Sequence, residues 1–184
     1  MTKLATIKPQ SEGFSLSPRN LSEAMEYADL ISNTTMVPKD YQGQPGNVLV
    51  AIQMGAEIGL PPTQALQNIA VINGRPSVWG DAALALVKAH PEFEDITEAC
   101  DGVNATCSIK RKGQSVTTRH FCVQDAQTAN LWGKTGPWTT YPTRMLQMRA
   151  RGFAIRDSFP DALKGISIAV LTDLCGSWFQ YCLD

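Results

Sequence analysis

The stretch "GPWTTYPTRMLQMRARGFAIRD", residues 136–157, decides the fold because it predicts a helix that is apolar on two separate sides. At about 100° per residue, the helix expected after Pro142 sorts its apolar side chains into two faces. The first face carries Met145, Met148, Gly152 and Ile155, and the second carries Leu146, Ala150, Phe153 and Ala154. Arg144 and Arg151 lie along one edge between these faces, and Arg149 and Arg156 lie along the other. The sequence therefore predicts a helix packed on both sides, with charge along both edges.

The four arginines of this helix need anionic partners, because burying an unpaired guanidinium group costs several kcal/mol. Only Asp157 and Asp161 are close to them in sequence, which is too few acids for four arginines. Two explanations stay open at this point. Either the arginines pair with distant acids from the N-terminal part of the chain, or they face an external anion.

Charge is distributed unevenly along this 184-residue chain, although its formal net charge is only −1. The residues before Ser108 contain 6 Lys and Arg against 12 Asp and Glu, whereas residues 108–156 contain 9 against a single acid, Asp125. A basic block of this kind in a nearly neutral protein indicates a surface that faces a polyanion. The alternative is an ordinary solvated face.

The remaining patterns predict an α+β protein with an antiparallel sheet. One helix is expected to begin after Ser17 as N-cap, with Pro18 in its first turn. Four further helices are expected at residues 47–60, 63–70, 82–90 and 126–132, the last two capped by Asp81 and Asp125. The pair Asn73-Gly74 predicts a type I′ turn between two short strands. Further strands are expected within residues 93–102, 104–113 and 115–123. The predicted fold is a set of helices packed on a small antiparallel three-stranded sheet plus a β-hairpin.

A single domain is expected, because 184 residues with 43% hydrophobic content can build one sizeable core. Residues 1–16 are polar and aperiodic and predict a flexible arm, residues 17–169 form the predicted core domain, and residues 170–184 form an atypical tail. No apolar run approaches the roughly 20 residues that a membrane span needs, and the first residues lack the apolar region of a signal peptide. The sequence therefore predicts a cytoplasmic protein that does not contact a membrane.

Signatures of catalysis are weak in this sequence. Gly133-Lys134-Thr135 has the form of the end of a phosphate-binding P-loop, but Thr128 stands where the motif requires its first glycine. The acids at positions 92, 94, 95 and 98 have no lysine placed as in nucleases, and the two histidines have no companions for a catalytic triad. The five cysteines form no CxxC pair and are expected to be reduced. The sequence predicts no enzyme and no metal site.

Cations and aromatic side chains alternate in the basic part of the chain, as when Lys134 stands between Trp132 and Trp138. This mixture suits a groove that follows a phosphate backbone while bases stack on aromatic rings. Packing in the core or at a hinge is the alternative for Trp132, Trp138 and Tyr141. The candidate DNA-binding residues are Lys110, Arg111, Lys112, Arg119, Lys134, Trp138, Arg144, Arg149, Arg151 and Arg156.

Two long segments, residues 46–82 and 131–166, closely resemble the RecT-type phage recombinases, which are single-strand DNA annealing proteins of bacteriophages and prophages. The similarity extends over roughly residues 21–169. The resemblance implies an ATP-independent protein of the bacterial host cytoplasm that binds single-stranded DNA and pairs complementary strands in recombination. It also implies an α+β core, assembly into rings or helical filaments, no cofactor beyond Mg²⁺ as an aid, a companion 5′-to-3′ exonuclease and a host single-strand-binding protein.

The end of the chain departs from the pattern of this family. Family members have a further C-terminal region implicated in partner contacts, whereas "VLTDLCGSWFQYCLD", residues 170–184, is rich in Cys and aromatics. We expect this tail to reflect a frameshifted or truncated reading frame, with a genuine short variant as the alternative, so binding of the exonuclease is in doubt. Two other functions stay open: a nuclease or nucleotide-dependent enzyme, and a passive single-strand-binding module.

Overall fold

The computed structural model describes residues 17–72 and 75–169, and it is an α+β protein, as the sequence predicted. The helices are α1 Leu21–Ser32, α2 Pro45–Ile58, α3 Pro62–Asn68, α4 Gly80–Ala89, α5 Val123–Thr128, α6 Pro137–Thr140, α7 Pro142–Ser158 and α8 Pro160–Leu163, with a 3₁₀ turn at Lys39–Tyr41. The strands are β1 Ile69–Ile72, β2 Arg75–Trp79, β3 Phe93–Cys100, β4 Asn104–Arg111, β5 Thr117–Cys122 and β6 Ser167–Ala169. The expected arm, the expected tail and the Asn73-Gly74 turn lie outside the described residues.

The beginnings of the helices differ in detail from those expected. Helix α1 is capped by Asn20 rather than Ser17, because the Asn20 side chain accepts a hydrogen bond from the Glu23 backbone N–H at 2.9 Å. Asp125 lies inside α5 and accepts from the Cys122 backbone N–H at 2.9 Å, which closes a capping box. Asp81 lies in the first turn of α4 instead of capping it.

Helices α1, α2 and α3 form an N-terminal layer with its own small core. Tyr41 lies at its centre with 1% of its surface exposed, and its hydroxyl donates to the Ile69 carbonyl oxygen at 2.5 Å. Burial and the nearby charge of Asp40 raise the pKa of Tyr41 to about 12, so the hydroxyl remains a neutral donor. Because Ile69 begins β1, this bond ties the helical layer to the first sheet.

The first sheet is the expected hairpin of β1 and β2 extended by a third strand. β1 and β2 pair antiparallel, from Ile69 opposite Val78 to Ile72 opposite Arg75. β6, which the sequence reading did not predict, pairs parallel with β2 and places Ile168 opposite Val78. The last described strand therefore belongs to the sheet built by the hairpin.

The second sheet is the antiparallel meander β3-β4-β5, and helix α7 covers one of its faces. Alternate residues of β4 point into the core beneath α7: Ala105, Cys107 and Ile109 are fully buried. The outward residues between them are polar, and Ser108 and Thr118 form a cross-strand hydrogen bond at 2.9 Å. One sheet face is thus apolar and packed, and the other carries hydroxyl groups.

Helix α7 is buried on two sides, as the sequence predicted. Met145 and Ile155 of the first face and Leu146 and Ala154 of the second are all fully buried. The predicted second face is correct except at Phe153, which keeps 38% of its surface exposed. The helix therefore packs into the main core, with parts of its two edges left open to solvent.

Candidate nucleic-acid interface

Arg151 is the buried cation of helix α7, with 5% of its surface exposed. Its Nε and Nη2 donate to the two carboxylate oxygens of Glu98 on β3, both at 2.8 Å, and its Nη1 donates to Asp81 of α4 at 2.9 Å. Burial by itself would lower the pKa of this guanidinium group, but the hydrogen bonds and charge of Glu98, with the charge of Asp81, raise the pKa overall. Arg144 reaches the same Asp81 oxygen at 3.5 Å. This edge of α7 therefore faces acids of the same chain.

Arg111 is held in a second ionic cluster at the end of β4. Its guanidinium group donates to the two carboxylate oxygens of Asp161 at 2.7 Å each, to Glu92 at 2.6 Å and to the Ser158 carbonyl oxygen at 3.0 Å. It also lies 4.9 Å from the centre of the Phe159 ring. The hydrogen bonds from Arg111 lower the pKa of Asp161 to about 2, and those with Asp161 and Glu92 raise the pKa of Arg111. Arg111 thus fastens the sheet to α8.

These two clusters decide between the explanations that the sequence left open for Arg151, and they correct the prediction of Arg111 as a DNA-binding residue. The acids that pair with Arg151 lie 53 and 70 residues away in sequence, and Asp161 lies 50 residues from Arg111. Pairing with distant acids is therefore what the structure shows for both arginines. Their side chains are occupied by internal contacts, and they do not point to an external anion.

The other candidate residues have different surroundings. Trp138 keeps only 3% of its surface exposed and belongs to the main core, as the packing alternative expected. Lys110 and Lys112 donate to backbone carbonyl oxygens of Gln114 and Pro91, each at 2.7 Å, near the turn between β4 and β5. Lys134 is exposed in the loop that precedes α6.

The opposite edge of α7 forms, with β5, an exposed surface that we call the cationic seam, defined by Arg119, Arg149, Phe153 and Arg156. Arg149 is half-buried, Arg156 is exposed, and the two lie two turns apart, about 10.5 Å along the helix axis. Phe153 lies between them and packs against Phe121 of β5, with ring centres 5.9 Å apart. The seam therefore places an aromatic ring between cations on a helix that the core holds in place.

Arg119 adds a third cation to the cationic seam from the neighbouring strand. Its Nε donates to Asp157 of α7 at 2.5 Å, in a pair whose two side chains are both nearly half exposed. An exposed ion pair contributes only about 0–1 kcal/mol. Arg119 can therefore exchange Asp157 for a stronger external anion at little cost.

The two contacts between β5 and α7 also fix the direction of the cationic seam. Arg119 meets Asp157 and Phe121 meets Phe153, so the strand and the helix run antiparallel. The end of β5 consequently lies towards the start of α7, and the chain continues there through α5 into the loop that carries Trp132 and Lys134. Trp132 of this loop contacts Trp138 of α6, which directly precedes α7, so the loop lies near the start of that helix.

The candidate residues from the sequence omit both Phe153 and Trp132, although Trp132 was considered there as an aromatic beside the cations. On a helical projection Phe153 lies about 40° from Arg149, close enough to leave the buried sector, and this angle was the available signal. For Trp132 the sequence offered only its place beside Lys134. Trp132 keeps 37% of its surface exposed, whereas Trp138, whose ring contacts it, is buried in the core.

No protein-family model matches the chain, and no curated protein matches it. Among residues 17–72 and 75–169, no group of three His, Cys, Asp or Glu is arranged to hold a metal ion. In the same part of the chain, no helix is both long and apolar enough to cross a membrane.

Proposed function

We propose that this protein binds single-stranded DNA along the cationic seam and anneals complementary strands without a nucleotide cofactor. The observation that carries the proposal is the exposed ring of Phe153 on α7 together with the exposed cation Arg156 of the same helix. Arg119 of the neighbouring strand β5 adds a second exposed cation, held only by a half-exposed ion pair with Asp157. Arg151, on the opposite edge of α7, is instead neutralised by Glu98 and Asp81 inside the chain. A polynucleotide supplies both the phosphates and the bases that such a row can contact.

The chemistry of annealing suits this surface. Arginine contacts to phosphate neutralise the backbone without reading sequence, so the strand can be held while its base edges stay free to pair. Charge neutralisation also reduces the repulsion between two approaching strands. Base pairing then supplies the sequence specificity, and no covalent step is required of the protein.

Several further features of the proposed function rest on the resemblance to RecT-type recombinases. They are assembly into a homo-oligomeric ring or filament, action in phage or prophage recombination in a bacterial cytoplasm, and Mg²⁺ as an aid to assembly or annealing. A companion 5′-to-3′ exonuclease and a host single-strand-binding protein belong to the same proposal. The described residues support the DNA-binding part, because the cationic seam lies within them.

Replacing both Arg119 and Arg156, the two exposed arginines of the cationic seam, with Gln should weaken binding of a fluorescent oligo-dT and make it less dependent on salt. Each phosphate contact to a single strand contributes about −0.7 to the slope of log affinity against log salt concentration. Losing two contacts should therefore reduce the steepness of the slope by about 1.4. Fluorescence anisotropy over a series of salt concentrations measures both effects.

The matched control replaces Arg19 and Lys39, two exposed cations of the N-terminal layer, with Gln. It changes the net charge equally but leaves the cationic seam intact, so its slope should equal that of the unaltered protein. Equal slopes for both double variants would refute the seam as the binding surface.

Annealing itself is tested by mixing two complementary oligonucleotides with the protein in the absence of any nucleotide. We expect the duplex to form faster than without protein, and the strands to keep their length. Shortened strands would favour a nuclease. Tight binding without faster pairing would favour a passive single-strand-binding module.

A further inference from the structure

The loop before α6 presents Trp132 in a fixed position near the start of α7, the helix that carries the cationic seam. The Trp132 and Leu131 backbone N–H groups both donate to the Ala126 carbonyl oxygen, at 3.2 and 2.8 Å, and the Lys134 N–H donates to Leu131 at 3.1 Å. Leu131 itself is buried with 8% exposure. The backbone on both sides of Trp132 is therefore anchored to α5 and to the core.

Trp132 nevertheless keeps 37% of its surface exposed, which leaves a large apolar ring in contact with water. Its ring meets the buried Trp138 at a centre-to-centre distance of 6.2 Å and an angle of 61°. This edge-type contact supports the ring from one side, and part of the Trp132 surface stays accessible. The Nε1 of Trp138 has no hydrogen-bond partner among the described residues, so Trp138 contributes through its bulk and its contact with Trp132.

We propose that Trp132 is the stacking platform for an unpaired base and gives the surface its preference for single strands. This inference rests on the proposed function and deepens it. Lys134, exposed two residues later, supplies a cation for the adjacent phosphate. The faces of bases inside a duplex are covered by their neighbours, whereas a base of a single strand can stack on an aromatic side chain. The arginines of the cationic seam contact phosphates, which both forms of DNA possess, and so cannot provide this discrimination.

The test compares Trp132→Ala and Trp132→Phe with the unaltered protein. Removing an aromatic ring that stacks on a base weakens single-strand binding by roughly 5- to 150-fold. We expect Trp132→Ala to weaken oligo-dT binding by this amount and to change the affinity for a duplex of equal length by less than about twofold. Trp132→Phe should retain most of the affinity, because the smaller ring still stacks. Met36→Ala, which trims a side chain with 83% exposure in the N-terminal layer, is the control and should change neither affinity.

Anisotropy of labelled DNA measures these affinities independently of tryptophan, and thermal melts followed by circular dichroism establish that each variant is folded. A second readout uses intrinsic fluorescence: saturating oligo-dT should quench the unaltered protein more than Trp132→Phe.

Failure of the unaltered protein to bind any DNA would refute the proposed function. Salt-sensitive binding with equal single-strand affinity for folded Trp132→Ala would refute only the stacking platform. If Trp132→Ala changes the sedimentation of the protein but not its ratio of single-strand to duplex affinity, the stacking platform is refuted as well. Trp132 would then contact another copy of the protein rather than a base.

Discussion

Arg151→Met should lower the free energy of unfolding by about 3–5 kcal/mol, the cost of leaving a buried charge without its partner. Glu98 has only 18% of its side chain exposed and receives two hydrogen bonds from Arg151, both of which this variant removes. Methionine fills much of the same space, so the loss measures the charge more than a cavity. Urea denaturation followed by circular dichroism gives the value.

Arg144→Met is the matched control, because Arg144 lies on the same edge of α7 and approaches the same acid. Its contact with Asp81 is longer, at 3.5 Å, and both side chains are substantially exposed, so the loss should be below about 1 kcal/mol. The double variant Arg151→Met with Glu98→Gln should lose less free energy of unfolding than Arg151→Met alone, because it leaves no unpaired carboxylate at Glu98. Equal losses for Arg151→Met and Arg144→Met would show that the buried pair does not anchor the helix.

Gly55→Ala should destabilise the N-terminal layer by about 2 kcal/mol through overpacking. A Cβ atom at Gly55 would overlap the Ala65 side chain and lie 3.3 Å from both the Ala65 Cα and the Leu60 carbonyl oxygen. None of these atoms belongs to a flexible side chain, so α2 and α3 would have to move apart. The higher helix propensity of alanine, about 1 kcal/mol, offsets only part of this cost.

Gly46→Ala provides the control for Gly55→Ala within the same helix. No atom lies within 4 Å of a Cβ built at Gly46, so this change should be neutral or slightly stabilising. The melting temperature should therefore fall for Gly55→Ala and stay the same or rise slightly for Gly46→Ala. Equal melting temperatures would show that the two helices do not need the close approach at Gly55.

Helix α7 combines anchoring and proposed binding because its two edges have different surroundings. Arg151 joins it to β3 and α4, and its apolar faces pack into the core. The cationic seam is thereby carried on an element that cannot easily rotate. Such rigid support favours a site that must hold a flexible strand, since less conformational freedom is lost on binding.

The sequence by itself determined those features of the protein that depend on local geometry. Each residue advances a helix by a fixed angle, so the spacing of Met145, Leu146 and their neighbours predicted two buried faces of α7 before any partner was known. The strand predicted within residues 104–113 and the turn signal that predicted a hairpin ending in β2 are local in the same way. Phe153 marks the limit, because its projected angle lies at the boundary where neighbouring elements decide exposure.

Only the tertiary structure decided which arginines are internal and which remain at the surface. All four arginines of α7 occupy equivalent edge positions in the sequence pattern, yet Arg151 meets acids 53 and 70 residues away, whereas Arg156 lies exposed at the surface. The parallel pairing of β6 with β2 is equally distant in sequence. Such contacts depend on how whole elements are placed against one another, and no local periodicity encodes that placement. The charge block of the sequence indicated a polyanion surface, but the acids of β3 and α4 determined which part of the block could form it.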